Sequence, residues 1–227
     1  MSFNAEIKKY SKQRLKPQFG ITLAALILVA LPPAIYGFFS VAFTFTSQHA
    51  MLLATAFFTF AFLASVGFMF VYMPVMYGGV CATTLRVSRG EKISCSLPFT
   101  STMHNYPRKL GGIYWMHLFT FLWSLLLIIP GIVKSYAYSF TPYILAEFPN
   151  VKARDALKLS MKMTNGAKGD LFLFDLSFIG WAMLTVITFG IVGIYVAPYY
   201  AVAHASLYDS IKNNAIESGK VSIAELG

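Results

Sequence analysis

The sequence predicts an all-α membrane protein: a polytopic bundle of six transmembrane helices with basic amphipathic segments at the interface. Three observations carry this expectation. Of 227 residues, 57% are hydrophobic and only 12% charged, with a mean hydropathy of +0.62. Soluble domains carry about 25% charge. Apolar runs of roughly 18 residues or more recur, long enough to cross ~30 Å of hydrocarbon as helix. These runs lack the period-2 alternation of a membrane barrel, which leaves helices as the structure that satisfies its own backbone in lipid.

In chain order, residues 1–19 form a basic N-terminal segment with Lys8, Lys9, Lys12, Arg14 and Lys16 between Phe3, Ile7 and Tyr10. This pattern fits either a short helix on an anionic membrane surface or a solvated tail. Lys8, Lys9, Lys12 and Arg14 are the candidate lipid contacts. The first span is expected over Gly20–Thr46, kinked at Pro32-Pro33. Its apolar core is too long for a signal-peptide core and no small-x-small site closes it, so it is read as a retained span. Ser47–Ala50, containing His49, reads as a short polar turn.

The second span runs from Met51 to about Leu85, longer than the hydrocarbon requires, with Pro74 as a candidate bend and Gly78-Gly79 permitting close packing. Residues 86–109 are polar and basic. A central hairpin follows, with spans at Leu110–Ile129 and Val133–Phe148 and a turn at Pro130-Gly131, where proline breaks the helix and glycine tolerates the reversal. Pro142 lies inside the second of these. Residues 150–169 form a second basic amphipathic segment. Asn150 is the expected N-cap and Asn165-Gly166 the stop; Lys152, Arg154, Lys158 and Lys162 are candidate anionic-lipid contacts. The fifth and sixth spans are expected over Asp170–Phe189 and Ile191–Ile211, turning at Gly190. Residues 20–211 thus make one membrane domain, and 212–227 a loosely ordered polar tail.

Orientation follows from the charges. With six spans and both termini cytosolic, seventeen of the eighteen Lys and Arg fall on the cytosolic side, and only Lys134 lies outside. The net charge of +9 is then a topology signal and a means of contacting anionic lipid, with no nucleic acid implied. Cys81 and Cys95 fall on the reducing side and have no metal-ligand spacing, so neither a disulfide nor a metal is expected. Pro74, Pro142 and Pro198 each sit among aromatic residues in the second helix of a hairpin. They suggest three tandem hairpins, against the alternative of chance, since proline and aromatic residues are common in membrane helices.

The chemistry is sparse. Intramembrane ionisable residues are the default functional candidates. His117, Glu147, Asp175 and His204 are placed near one level, inside the cytosolic edge, as a candidate polar recess, with Asp175 and His204 the favoured pair. The alternative is that each finds its own backbone or headgroup partner. The tyrosines and tryptophans read as an interface belt. There is no HExxH, GxSxG or phosphate-loop pattern; NGAKGD lacks the required spacing, and no cofactor is expected.

The runs LWSLLLIIPGIVKSYAYSFTPYILAEFP, ARDALKLSMKMTNGAKGDLFLFDLSFIGW and GIYVAPYYAVAHASLYDSI resemble the bacterial integral membrane family catalogued as domain of unknown function 975, over nearly the whole chain. The resemblance implies a polytopic protein of the bacterial cytoplasmic membrane, and it carries over neither an activity nor any functional residue. The expected function is non-enzymatic: a membrane scaffold, or a factor in envelope homeostasis or protection. The alternative is a small-solute transporter or channel using the recess.

Overall fold

The computed structural model describes residues 3–46, 52–103 and 105–226. Its elements are all helical, and no strand occurs among the described residues. The helices are α1 Phe3–Leu15, α2 Phe19–Thr46, α3 Leu52–Arg89, α4 Leu97–Met103, α5 Tyr106–Leu126, α6 Ile128–Tyr138, α7 Thr141–Glu147, α8 Ala153–Met163, α9 Lys168–Leu176, α10 Ile179–Ile187 and α11 Ile191–Glu217. Among the described residues, three helical stretches are long and apolar enough to cross a membrane: Phe3–Ile35, Val66–Arg89 and Lys168–Ile187.

The basic N-terminal segment does not stand apart from the first span. A 3-10 turn at Lys16–Gln18 joins α1 to α2 through Leu15 and Phe19, both right-handed helical. One face of α1 (Ile7, Ser11, Leu15) is buried, against α11 and α3. Ser11 donates to the Ser206 hydroxyl at 2.9 Å. Within α2, Pro32-Pro33 are carried without ending the helix, and the same is true of Pro74 in α3. The expected turn at Ser47–Ala50, with His49, lies outside the described residues.

The central hairpin turns earlier than its sequence suggests. The break is at Leu127, whose extended backbone (φ −158°, ψ 139°) separates α5 from α6. Pro130 and Gly131 lie in the first turn of α6, where a missing N–H costs nothing because those donors have no helical partner. A Cβ at Gly131 would collide with Ser124, so this glycine allows the two helices to meet closely. The expected fourth span is split in two, since α6 ends at Tyr138 and α7 begins at Thr141. Pro142 falls in the first turn of α7, whereas Pro74 and Pro198 lie inside long helices. The three prolines therefore do not occupy equivalent positions within their helices.

Helix α8 starts later than expected. Its N-cap is Lys152, with no side-chain cap from Asn150, and Gly166 (φ +89°) ends the segment as glycine at that position should. The expected fifth span is broken at Ser177-Phe178 into α9 and α10. Phe189 (φ +49°) and Gly190 (φ +90°) make the left-handed turn into α11, which continues past Ile211 to Glu217. The tail is not loose. Val221 and Leu226 are buried, Lys220 donates to the Asn165 carbonyl at 2.9 Å, and a capping box at Ser222 and Glu225 closes a 3-10 turn.

The core gathers at one end of the molecule. Phe140, Ile144, Leu145, Met163, Phe174, Leu207 and Tyr208 are fully buried where α7, α8 and α11 meet α3, α5 and α9. At the other end the apolar side chains are left outward. Leu125 is 76% exposed, Val186 78% and Phe189 99%, and α10 has no buried residue.

Candidate functional site

Two helix ends and one face of α11 converge on a network of four charged side chains. Arg89 ends α3, Glu147 ends α7, and Asp209 and Lys212 lie one turn apart on α11. Arg89 donates to both Asp209 oxygens, at 3.0 Å from Nε and 2.7 Å from Nη2, and to Glu147 at 2.6 Å. Lys212 donates to Glu147 at 2.7 Å and lies 3.2 Å from Asp209. Tyr208 supplies a third donor to Glu147, at 2.7 Å. Two cations thus face two carboxylates with every charge compensated, the condition under which partly buried charges persist. Arg108, at the start of α5, holds the end of α7 in place. Its guanidinium donates to the carbonyl of Leu145 in the last turn of α7 at 2.6 Å, and to those of Phe148 at 2.9 Å and Val151 just beyond it. Burial draws the Arg108 and Lys109 pKa values below their usual range, with Arg108 adding to the shift at Lys109. A polar pocket of about 620 Å³ lies between this network and α1, walled by Glu6, Tyr10, Ser88 and Ser206 among others.

An aromatic ladder leads away from the network. Tyr208 stacks on Tyr143 at 5.1 Å, and Tyr143 stacks on His204 at 5.6 Å. His204 Nδ1 lies 3.2 Å from the Tyr143 hydroxyl. Beyond it Tyr200 is 5.9 Å from His204, and the Tyr200 hydroxyl donates to Asp175 Oδ1 at 2.9 Å. Tyr200, His204 and Tyr208 are four residues apart along α11, so they lie above one another on one helix face.

Asp175 and His204 therefore border the same tyrosine without bonding directly. Glu147 belongs to the charged network at the far end of the ladder. His117 is on the exposed face of α5, and no hydrogen bond or ring contact among the described residues joins it to the other three. The interior of the ladder is closed by Phe140 and Phe174, both 0% exposed.

Among the candidate lipid contacts, Lys9, Lys12 and Arg14 are exposed on α1, with Arg14 over the Tyr10 ring at 5.1 Å. Lys8 turns inward, over the Phe178 ring at 4.1 Å and toward the Ser177 carbonyl. Lys152, Arg154, Lys158 and Lys162 are all exposed. Ala156, Leu157, Leu159, Ser160 and Met163 fill the opposite side of α8. Lys162 is engaged by Glu225 at 2.5 Å and Arg154 stands over Trp115 at 5.0 Å.

The sequence reading missed Arg89, Tyr143, Tyr200, Tyr208, Asp209 and Lys212. The four-residue spacing of Tyr200, His204 and Tyr208 was the available signal, together with the pair Asp209 and Lys212 one turn apart. The convergence of two helix ends on the side of α11 is a tertiary fact with no local signature.

Residues 113–215, which hold the α5–α11 core, the ladder and all of the charged network except Arg89, match the family model described as "Protein of unknown function (DUF975)". Over this stretch the chain is similar to that family. The match is narrower than the near-complete resemblance expected from the motifs, although every motif quoted for it falls almost wholly inside. No curated protein and no solved structure matches the chain. The DUF975 region thus contains the groups with the most unusual surroundings, Glu147, Asp175 and His204, and none of the α1–α4 segment that packs over them.

Proposed function

We propose that this is a non-enzymatic, six-span protein of the bacterial cytoplasmic membrane, with both termini cytosolic, that acts as a membrane-embedded scaffold or binding body. Envelope homeostasis and protection are the roles this reading suits. The observation that carries it is the closed interior. A transporter needs a polar cavity that reaches the bilayer midplane. Here the polar pocket lies at the charged end, and the path inward from it is filled by Tyr208, Tyr143, Phe140 and Phe174. The membrane assignment draws on the three apolar stretches and the outward apolar side chains of α5 and α10. The orientation draws on the Lys and Arg asymmetry. On that orientation α8 lies along the cytosolic surface with its four basic residues toward anionic headgroups.

The test is flux. Full-length protein is reconstituted in vesicles of phosphatidylcholine and phosphatidylglycerol, and proton, potassium and neutral-osmolyte permeation is followed against protein-free vesicles. The expected result is no protein-dependent flux. Flux that scales with protein and is blocked by a bulky substitution at His204 would replace the scaffold reading with the transporter one.

A further inference from the structure

A second, apolar groove of about 610 Å³ opens on the outer face of the DUF975 region. One wall is α9 and α10 and the other is α11, with Tyr136 of α6 closing one end. Down the first wall run Asp175, Ile179, Ala182 and Thr185; up the second run Gly193, Val196, Ala197 and Tyr200. From Asp175 to Thr185 the groove is about 15 Å long at 1.5 Å per residue. The walls carry small side chains at Ala182 and Ala197, and they close on each other at the foot, where a Cβ at Gly193 would collide with Thr185.

The two ends differ in chemistry. The foot is apolar. At the head stands Asp175, with Tyr200 donating to Oδ1 and Tyr136 flanking from the other side. No cation pairs with Asp175 among the described residues. Lys8 is directed to the Ser177 carbonyl and the Phe178 ring. A carboxylate facing lipid without a counter-charge is costly and seeks one. Aromatic faces beside a carboxylate favour a cation further.

The geometry points to this groove as a binding site for a single-chain amphiphile with a protonated amine head. Its ammonium meets Asp175 between Tyr136 and Tyr200, and its chain lies along Ile179, Ala182, Val196 and Ala197. An anionic head is repelled by Asp175, and a neutral head leaves the carboxylate unpaired. Entry is lateral, from the leaflet in which Asp175 lies, with head and chain already oriented as the groove requires. The inference deepens the binding-body reading by naming a ligand class, and it rests on α9 to α11 being embedded in lipid.

The experiment uses full-length protein in phosphatidylcholine nanodiscs, with labelled dodecylamine as the probe and protein-free discs as the baseline. Saturable binding above that baseline is expected. Dodecyltrimethylammonium should compete, and dodecanoic acid and dodecanol should not. Asp175→Asn should weaken binding roughly tenfold, the size of one lost charge-assisted contact. Asp175→Glu should retain it, and Ala197→Leu, which fills the groove with the carboxylate intact, should abolish saturation. Binding unchanged in Asp175→Asn, or equal competition by dodecanol, overturns the proposal, as does binding unchanged in Ala197→Leu. If one variant does not fold, the other decides. Solute flux in the vesicle test would remove the scaffold reading and leave this result standing.

Discussion

Glu147→Gln should destabilise the protein by removing one charge from a compensated set. In the native network Glu147 accepts from Arg89 at 2.6 Å, Lys212 at 2.7 Å and Tyr208 at 2.7 Å. Its side chain is 15% exposed and that of Lys212 10%. Glutamine keeps an acceptor but is neutral and turns an NH₂ toward one of the donors. Two cations then share Asp209 alone. Breaking a buried pair by removing one partner costs about 3–5 kcal/mol. Two features lower that figure: Arg89 is 33% exposed and keeps both bonds to Asp209, and Lys212 keeps its 3.2 Å contact. About 2 kcal/mol is left, which for a chain of this size lowers Tm by roughly 4–8 °C. Lys212→Met in the same background restores neutrality, so the double variant should be more stable than the sum of the singles by about 1 kcal/mol. Thermal unfolding in nanodiscs measures all three, and added salt should reduce the effect in part, because Arg89 is partly exposed while Lys212 is buried. A Glu147→Gln shift below about 1 °C, or strictly additive variants, would refute the compensation argument.

Three further outcomes follow from other parts of the chain. A Cβ at Gly79 would collide with the Pro98 backbone carbonyl, which cannot rotate away. Gly79→Ala should therefore cost about 1–3 kcal/mol and loosen α4 from α3, read as faster proteolysis near Ser94, while Gly20→Ala, with nothing within 4 Å of its Cβ, should not. Lys162, followed by the Ser222 N–H, holds the Glu225 carboxyl below its usual pKa. A depressed carboxylate pKa stabilises the folded tail above the ordinary carboxylate range and loses that contribution as pH falls through the lowered value. The protection of amides in 220–226, referred to the intrinsic exchange rate at each pH, should fall on acidification through that range, and Glu225→Gln should show low protection at every pH. For topology, a cysteine at Phe189 should react with an impermeant reagent from outside whole cells and one at Asn213 only after permeabilisation; the reverse pattern would invert the proposed orientation.

What was legible in the sequence was the class of structure and the identity of the costly groups. Mean hydropathy and run length marked helices for lipid, and Gly166 and Gly190 marked ends because only a left-handed residue closes those helices. The Pro130 turn was misplaced because a proline inside an apolar run reads the same at a break and in a first turn, and only the neighbouring helix distinguishes them. The tail was read as loose because its composition is polar. Its order comes from two buried apolar residues, Val221 and Leu226, and from ion pairing to α8, a partner some sixty residues away. Depth along each span put Asp175 and His204 at one level, but depth says nothing about azimuth, which turned His117 outward and left Tyr200 between the other two.

The ladder links two sites with different solvents. At one end Asp175 faces an apolar groove, and at the other Glu147 sits in a charged network beside a polar pocket. Between them the side chains of Tyr200, His204, Tyr143 and Tyr208 touch in sequence, and three of the four belong to one helix. Any ligand that draws Asp175 away from Tyr200 frees that hydroxyl, and the Tyr200 ring lies 5.9 Å from that of His204. A shift of His204 is resisted by its stacking on Tyr143, which in turn rests on Tyr208, the donor to Glu147. Closely packed interiors transmit such displacements because they have no free volume to absorb them. The corresponding measurement is whether dodecylamine changes the melting temperature of Glu147→Gln by a different amount than that of the native chain. Equal increments would mean that the groove and the charged network are energetically independent, and that the ladder is only core.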